Sequence, residues 1–122
     1  MVKKVLVIED DYQTLQLIEF LLRRAGFEIL SASDGEEGVR KLLLKPDLVI
    51  TDIMLPKLGG LEVIEKIKDN VDTRKIPILI LSALGQEEFV SAALKKGADE
   101  YIIKPFSTGF LTAEVKRLLG KI

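Results

Sequence analysis

Asp52 ends an apolar-rich run, Asp47-Leu48-Val49-Ile50-Thr51-Asp52, and Pro56, four residues later, stops the chain from continuing as a helix or a central strand. A carboxylate at the end of a buried strand is an oxygen ligand, a nucleophile or an edge residue of no consequence, and the other strand ends decide among these. Lys3 to Glu9 (KKVLVIE) runs into three acids, Glu9-Asp10-Asp11; Ile76 to Ser82 ends in a hydroxyl; Asp99 to Lys104 ends in an ammonium. If the strands lie in the order 2-1-3-4-5, Glu9, Asp10, Asp52, Ser82 and Lys104 converge on one rim at the point where the order reverses, the usual ligand crevice of an open parallel sheet. Three carboxylates brought together repel, so one takes up a proton or a divalent cation neutralises them. The chain has no His and no Cys, which leaves oxygen ligands alone and selects Mg²⁺ first and Mn²⁺ second. Such an ion keeps waters and can accept a phosphate oxygen, Lys104 suits the phosphate's other side, and Ser82 can donate to a third oxygen. With a carboxylate nucleophile these groups suffice for phosphoryl transfer, which needs mainly positioning and charge neutralisation.

The elements that must hold these groups alternate along the chain. After the first strand, Thr14, Leu17, Ile18, Leu21, Leu22 and Ala25 form one stripe of an amphipathic helix closed by Gly26, with Leu15 and Phe20 off the stripe. Phe27 to Ala32 reads as a second strand, and Asp34-Gly-Glu-Glu37 starts a helix through Leu44 that Pro46 ends. Beyond Asp52, Gly59-Gly60 opens a third helix with Leu61, Ile64, Ile67 and Lys68 in period and Val63 widening the apolar face; Asn70 to Lys75 is a polar loop. A fourth helix spans Gln86 to Lys96 with Phe89, Val90, Ala93 and Leu94 inward. A fifth spans Ser107 to Leu119 with Phe110, Leu111, Val115, Leu118 and Leu119 as its core face. Five strands alternating with five helices through short loops predict a single doubly wound α/β domain over residues 1–122, helices on both faces of a parallel sheet, with nothing left over for an output domain.

Composition narrows the function further. At 122 residues, 48% hydrophobic and 30% charged, with no run of 18 apolar residues and no charged-then-apolar leader, the chain is expected to be soluble, without a membrane span, and cytoplasmic. Its 18 basic and 19 acidic residues give a net charge of −1 with no basic stripe, which argues against direct nucleic-acid binding.

Val-Leu-Val-Ile-Glu9-Asp10-Asp11, Asp52-Ile-Met-Leu-Pro56, Leu-Ser82-Ala, Gly97-Ala-Asp and Tyr101-Ile-Ile-Lys104-Pro105-Phe106 resemble the receiver domain of two-component response regulators, and the resemblance runs over the whole chain. Each motif alone is unspecific; the five in this order and spacing are not. The resemblance implies the flavodoxin-like (βα)5 fold of order 2-1-3-4-5. It implies a switch, not a turnover enzyme: Asp52 accepts a phosphoryl group from a histidine kinase's phosphohistidine, a phosphotransfer protein or a small phosphodonor. Asp10 and Asp52 would bind Mg²⁺ directly with the backbone carbonyl of Met54, and Glu9 through water. Ser82 takes the hydroxyl switch position, Tyr101 the aromatic switch position, Lys104 the family's lysine position, and Lys104-Pro105 its cis peptide. On phosphorylation Ser82 would be drawn to the added group, opening space into which Tyr101 turns, and the altered surface would act on a downstream target or output domain.

Leu15, Phe20 and Phe106 are the candidates for kinase docking beside the pocket, against the plain alternative of scattered surface apolar residues. Lys95, Lys96, Asp99, Glu100, Lys116 and Arg117 put both signs on helix 4, strand 5 and helix 5, as a self-complementary homodimer face would. Gly59 and Gly109 depart from the family pattern, the first removing a cap from the third helix. Met54 and Leu84, both apolar two residues past Asp52 and Ser82, suggest slow water attack on an acyl phosphate. Three rivals remain. A phosphatase-like hydrolase would want a second acid where Met54 stands, and a flavodoxin-like cofactor binder would be repelled by Glu9-Asp10-Asp11. An unphosphorylated interaction module would not need the full acid set.

Overall fold

The three inner strands of the sheet are apolar runs that must be covered on both faces, and this dictates the layering. The computed structural model describes residues 2–120. It contains β1 (Lys4–Ile8), α1 (Tyr12–Arg24), β2 (Glu28–Ala32), α2 (Gly35–Lys41), a 3-10 turn (Leu42–Leu44) and β3 (Leu48–Thr51). There follow α3 (Gly60–Asp69), β4 (Ile78–Ser82), α4 (Glu87–Lys96), β5 (Glu100–Ile103) and α5 (Thr108–Leu119). The strands are all parallel in the order β2-β1-β3-β4-β5. The expected second helix is thus shorter than Leu44, its last turn tightening to 3-10 before Lys45 takes a left-handed conformation ahead of Pro46.

Alternation along the strands divides the core in two. Val5, Val7, Leu48, Ile50, Leu79, Leu81 and Ile102 pack with α1 and α5, whereas Leu6, Ile8, Val49, Ile78 and Ile80 pack with α2, α3 and α4. Side-chain caps start three of the helices: Asp11 accepts from the Thr14 amide (3.0 Å), Asp34 from that of Glu37 (2.7 Å) and Ser107 from that of Phe110 (3.3 Å). Gly59 gives α3 no such cap, and the Gly59 amide instead donates to Glu62 at 3.4 Å.

Three helix faces differ from the periodicity reading. On α1, Leu15 is buried in the core with Ile18 and Leu22, while Leu17 is 42% exposed. Leu15 is therefore a packing residue and not part of a docking surface; of the two candidates on α1, Phe20, 56% exposed, is the one that faces solvent, with the Arg24 guanidinium 5.6 Å over its ring. Leu94 on α4 and Phe110 on α5 also face outward. Each of these helices carries more apolar residues than one stripe can bury, so the strand partners, not the spacing, choose the face.

Candidate functional site

The register carries the acids to one rim. Ile8 pairs with Thr51 across β1 and β3, so the next residues, Glu9 and Asp52, emerge side by side, tied by the Asp52 amide donating to the Ile8 carbonyl at 3.2 Å. Glu9, Asp52 and Lys104 continue the alternation phase of Val7, Ile50 and Ile102, which belong to the α1/α5 core. Ser82 and Tyr101 have the opposite phase and lean towards α4. Ser82 pairs with Ile103, and its carbonyl accepts from the Lys104 amide at 2.9 Å, so β4 and β5 bring the hydroxyl and the ammonium to the same rim.

Within the rim, carboxylate oxygens of Glu9, Asp10 and Asp52 all lie within 4.8 Å of one another. The Lys104 ammonium bridges two of them, at 2.7 Å from Glu9 Oε1 and 2.9 Å from Asp52 Oδ2. Three carboxylates against one ammonium leave a formal charge of −2, the complement of one divalent cation. The donors are oxygen only, Asp10 is open to solvent, and the site has the chemistry a hard divalent ion requires.

Burial and pairing work against each other in this cluster. Burial pushes the Glu9 carboxyl above its usual range, and its hydrogen bonds to Lys104 and to the Asp11 amide recover only part of the shift. For Lys104 burial alone would lower the value, but the hydrogen bonds to Glu9 and Asp52 outweigh it and the ammonium is held above 10.5. Lys104 is thus charged across the whole neutral range. The Lys104-Pro105 peptide is cis.

The remaining site residues form a second group around the chain after β4. Ser82 is fully buried, and its Oγ accepts from the Leu84 amide at 3.2 Å. The Tyr101 hydroxyl donates to the Leu84 carbonyl, and its ring packs against the α2–α4 core. Burial raises the Tyr101 pKa, with the Ser82 hydroxyl pulling the other way. The half-buried phenol thus has its acceptor on the β4–α4 loop. Met54 projects outward, 65% exposed, while its amide donates to Asp52 Oδ1 at 3.2 Å and sets its peptide against the carboxylate. Phe106 is half-buried against the α1/α5 core, and a shallow cavity of about 410 Å³ lies between it and Thr14, Leu17, Ala83, Lys104 and Pro105. Leu17, not Leu15, is the apolar α1 residue that joins this surface, beside Thr14.

Gly60 went unread as a site residue in the sequence. A Cβ there would stand 2.0 Å from the Asp52 carbonyl oxygen, so the first turn of α3 packs directly on the backbone of the central carboxylate. The Gly59-Gly60 pair at a helix start was the available signal, since glycine disfavours a helix unless space demands it.

Residues 5–116 match the response regulator receiver domain family. The chain is 41% identical over 120 residues to the alkaline phosphatase synthesis transcriptional regulatory protein PhoP of Bacillus subtilis, covering 98% of this chain and 49% of that protein. It is 37% identical to the phosphate regulon transcriptional regulatory protein PhoB of Escherichia coli, covering 100% and 54%. The chain thus spans about half the length of these curated relatives. Among solved structures, the signal receiver domain of a Syntrophus aciditrophicus signal transduction histidine kinase superposes with a TM-score of 0.92 at 32% identity, covering 99% of this chain and 92% of that one. The receiver domain of sensor histidine kinase PA1611 from Pseudomonas aeruginosa, with magnesium coordinated in its active site cleft, gives 0.90 at 27%, covering 98% and 99%.

Proposed function

Because the chain belongs to the response regulator receiver domain family, we propose that Asp52 accepts a phosphoryl group and that the chain works as a phosphorylation-dependent signalling switch. The observation that carries this reading is the meeting of three acids and one ammonium around Asp52. The donor is the phosphohistidine of a sensor kinase or phosphotransfer protein, or a small acyl phosphate. An Asp52 carboxylate oxygen attacks phosphorus, the bond from phosphorus to the imidazole nitrogen breaks, and its electron pair stays on the imidazole. Lys104 neutralises charge on the moving phosphoryl oxygens, and the Ser82 hydroxyl, which accepts from the Leu84 amide, donates to one of them.

Asp10 and Asp52, with the Met54 carbonyl and with Glu9 through water, are the groups to hold Mg²⁺, as the magnesium in the PA1611 cleft supports. When bound, the ion supplies charge neutralisation at the phosphoryl oxygens; Mn²⁺ suits the same donors. The new group adds about −1.5 to −2 charges. As the Ser82 hydroxyl is drawn to the new group it pulls on the Leu84 amide, and since Tyr101 grips the carbonyl of the same residue, the β4–α4 loop and the α4/β5 surface shift together.

Return of the phosphoryl group to water is the only turnover assigned to the chain, and Met54 and Leu84 keep it slow. Downstream, the altered α4/β5/α5 surface meets a target protein, an output domain or a second copy. Arg117 is already paired with Glu100 (3.1 Å) and Glu114 (2.9 Å) within the chain, and a homodimer on that face would share these ions between copies. No described helix is long and apolar enough to cross a membrane, and a cytoplasmic site of action, where kinase domains meet their phosphodonors, follows from the proposed role.

Intact mass after incubation with acetyl phosphate and Mg²⁺ tests the proposal. The wild type gains one phosphoryl group only with Mg²⁺, and Asp52→Ala gains none; equal gain by the variant overturns the assignment.

A further inference from the structure

The segment after Asp52 is pinned at two points, and only one belongs to the acidic rim. The near pin is α3, where the Gly60 amide donates to the Ile53 carbonyl at 2.8 Å and its missing Cβ makes room for the Asp52 carbonyl. The far pin is the start of α2. The Gly35 amide donates to the Pro56 carbonyl at 3.3 Å, and the Leu58 amide reaches the same oxygen at 2.8 Å. A Cβ on Gly35 would stand only 1.8 Å from the Leu58 carbonyl oxygen. Asp34, the α2 cap, has its carboxylate 3.6 Å from the Lys57 ammonium. Met54 and Leu55 are strung between the two pins.

Two residue choices here run against local preference, and in opposite senses. Gly35 does not occupy the left-handed region, so its backbone asks for no glycine, and alanine would favour the first turn of α2. Only the close approach of Leu58 calls for it. Lys57 does lie in the left-handed region, at φ 70°, where glycine would be at ease, yet a side chain is retained and reaches Asp34. Space is kept where α2 needs it, and stiffness is kept in the loop that leans on α2.

We propose that Gly35, with the Asp34–Lys57 pair, positions the Asp52–Met54 segment for phosphoryl transfer, α2 acting as a fixed backstop for the loop. The inference rests on Asp52 being the phosphoacceptor. Gly35 and Lys57 are positioning residues: they act through the loop and not on the reacting atoms. Adding one methyl group at Gly35 makes Leu58 retreat by more than an ångström, and the displacement passes along Pro56 and Leu55 to Met54, whose amide holds Asp52 Oδ1.

The test compares wild type, Gly35→Ala, Lys57→Gly and the double variant, following phosphorylation by acetyl phosphate and the backbone amide resonances of Ile53, Met54 and Gly60. Gly35→Ala is expected to react at least tenfold more slowly, within the roughly hundredfold that a misplacement of about 1 Å can cost, with those resonances displaced. Lys57→Gly alone, with a loosened loop, slows the reaction by a smaller factor. In the double variant the glycine at position 57 lets Leu58 swing clear while Asp52–Met54 returns, so both rate and resonances recover towards wild type. This rescue is what a general loss of packing cannot produce.

A folded Gly35→Ala that reacts at the wild-type rate, or resonance changes confined to α2, overturns the proposal, as does a double variant slower than Gly35→Ala. If Gly35→Ala does not fold, Lys57→Gly decides, and no change in its rate or its Met54 resonance overturns the proposal. If wild type takes up no phosphoryl group, the Asp52 reading has failed, and the resonances still decide whether α2 sets the loop.

Discussion

Replacing Lys104 with Met isolates the electrostatics of the rim, because the stem is kept and only the ammonium is lost. Glu9 and Asp52 have side chains just 3% and 10% exposed, and Lys104 at 18% is itself mostly covered. Removing one partner of a buried pair costs about 3–5 kcal/mol. Protonation sets a ceiling on the penalty. Once unpaired, Glu9 can take up a proton, and at about pH 7 this costs ~1.4 kcal/mol for each of the two and a half units above its ordinary 4.5, about 3.4 kcal/mol in all. A loss of ~3 kcal/mol is therefore expected near pH 7, shrinking to below ~1 kcal/mol near pH 5. The sign follows from linkage. An acid whose folded pKa exceeds its unfolded value favours the fold when protonated, so the variant recovers relative stability as pH falls. In wild type the Lys104 contribution, raised above 10.5, persists through the neutral range and is lost only as pH climbs through the folded value. Urea unfolding in the presence of EDTA, followed by far-ultraviolet circular dichroism at a series of pH values, reads both quantities. Adding Mg²⁺ should narrow the gap, since the cation then opposes the unpaired acids. Equal stability of the two proteins near pH 7 in EDTA, or a gap that widens in acid, refutes the reasoning.

Two further expectations concern α1 and the lifetime of the phosphorylated state. Leu15→Ala empties a core position and should cost roughly 2–4 kcal/mol, whereas Phe20→Ala, at an exposed position, should stay within ~0.5 kcal/mol; similar losses for both contradict the assigned faces. Phe20→Ala and Leu17→Ala should instead slow phosphotransfer from a kinase while leaving reaction with acetyl phosphate unchanged, and slowing of both reactions removes α1 from the docking role. Wild type, once phosphorylated and freed of donor, should hold its phosphoryl group well beyond seconds in Mg²⁺ buffer, as the apolar Met54 and Leu84 offer a water no hydrogen-bonding guide; decay within seconds by intact mass contradicts this.

The strands and their polar ends could be read from the sequence because they follow from one-dimensional rules, whereas the meeting of those ends on one rim needed the strand order, which the family resemblance implied. Val5 to Ile8, Leu48 to Thr51 and Ile78 to Ser82 are buried throughout, and continuous apolar runs between turns have few other fates. Their terminal acids, hydroxyl and ammonium stood out as the polar ends of such runs. Helix faces were less legible. In α1, apolar residues at 15, 17, 18, 20, 21 and 22 nearly encircle the helix, so the spacing admits a stripe through Leu17 as readily as the observed one through Leu15. The segment Asn70 to Lys75 likewise read as a polar loop, yet the Thr73 hydroxyl is buried and donates to the Ile67 carbonyl at 2.7 Å, closing the end of α3. Close approaches left at most a trace, the glycine pair that opens α3. What Gly35 and Gly60 make room for is a backbone carbonyl from a distant segment, and no local pattern encodes that partner.

The placement of the phosphoryl group on Asp52 is tested most directly by borohydride reduction of the acetyl phosphate-treated protein, followed by peptide mass mapping, since reduction converts an aspartyl phosphate to homoserine and marks its position. Homoserine at position 52, formed only when Mg²⁺ was present, is the predicted result. Homoserine at another acid of the rim, or none anywhere in a protein that has gained phosphoryl mass, contradicts the account.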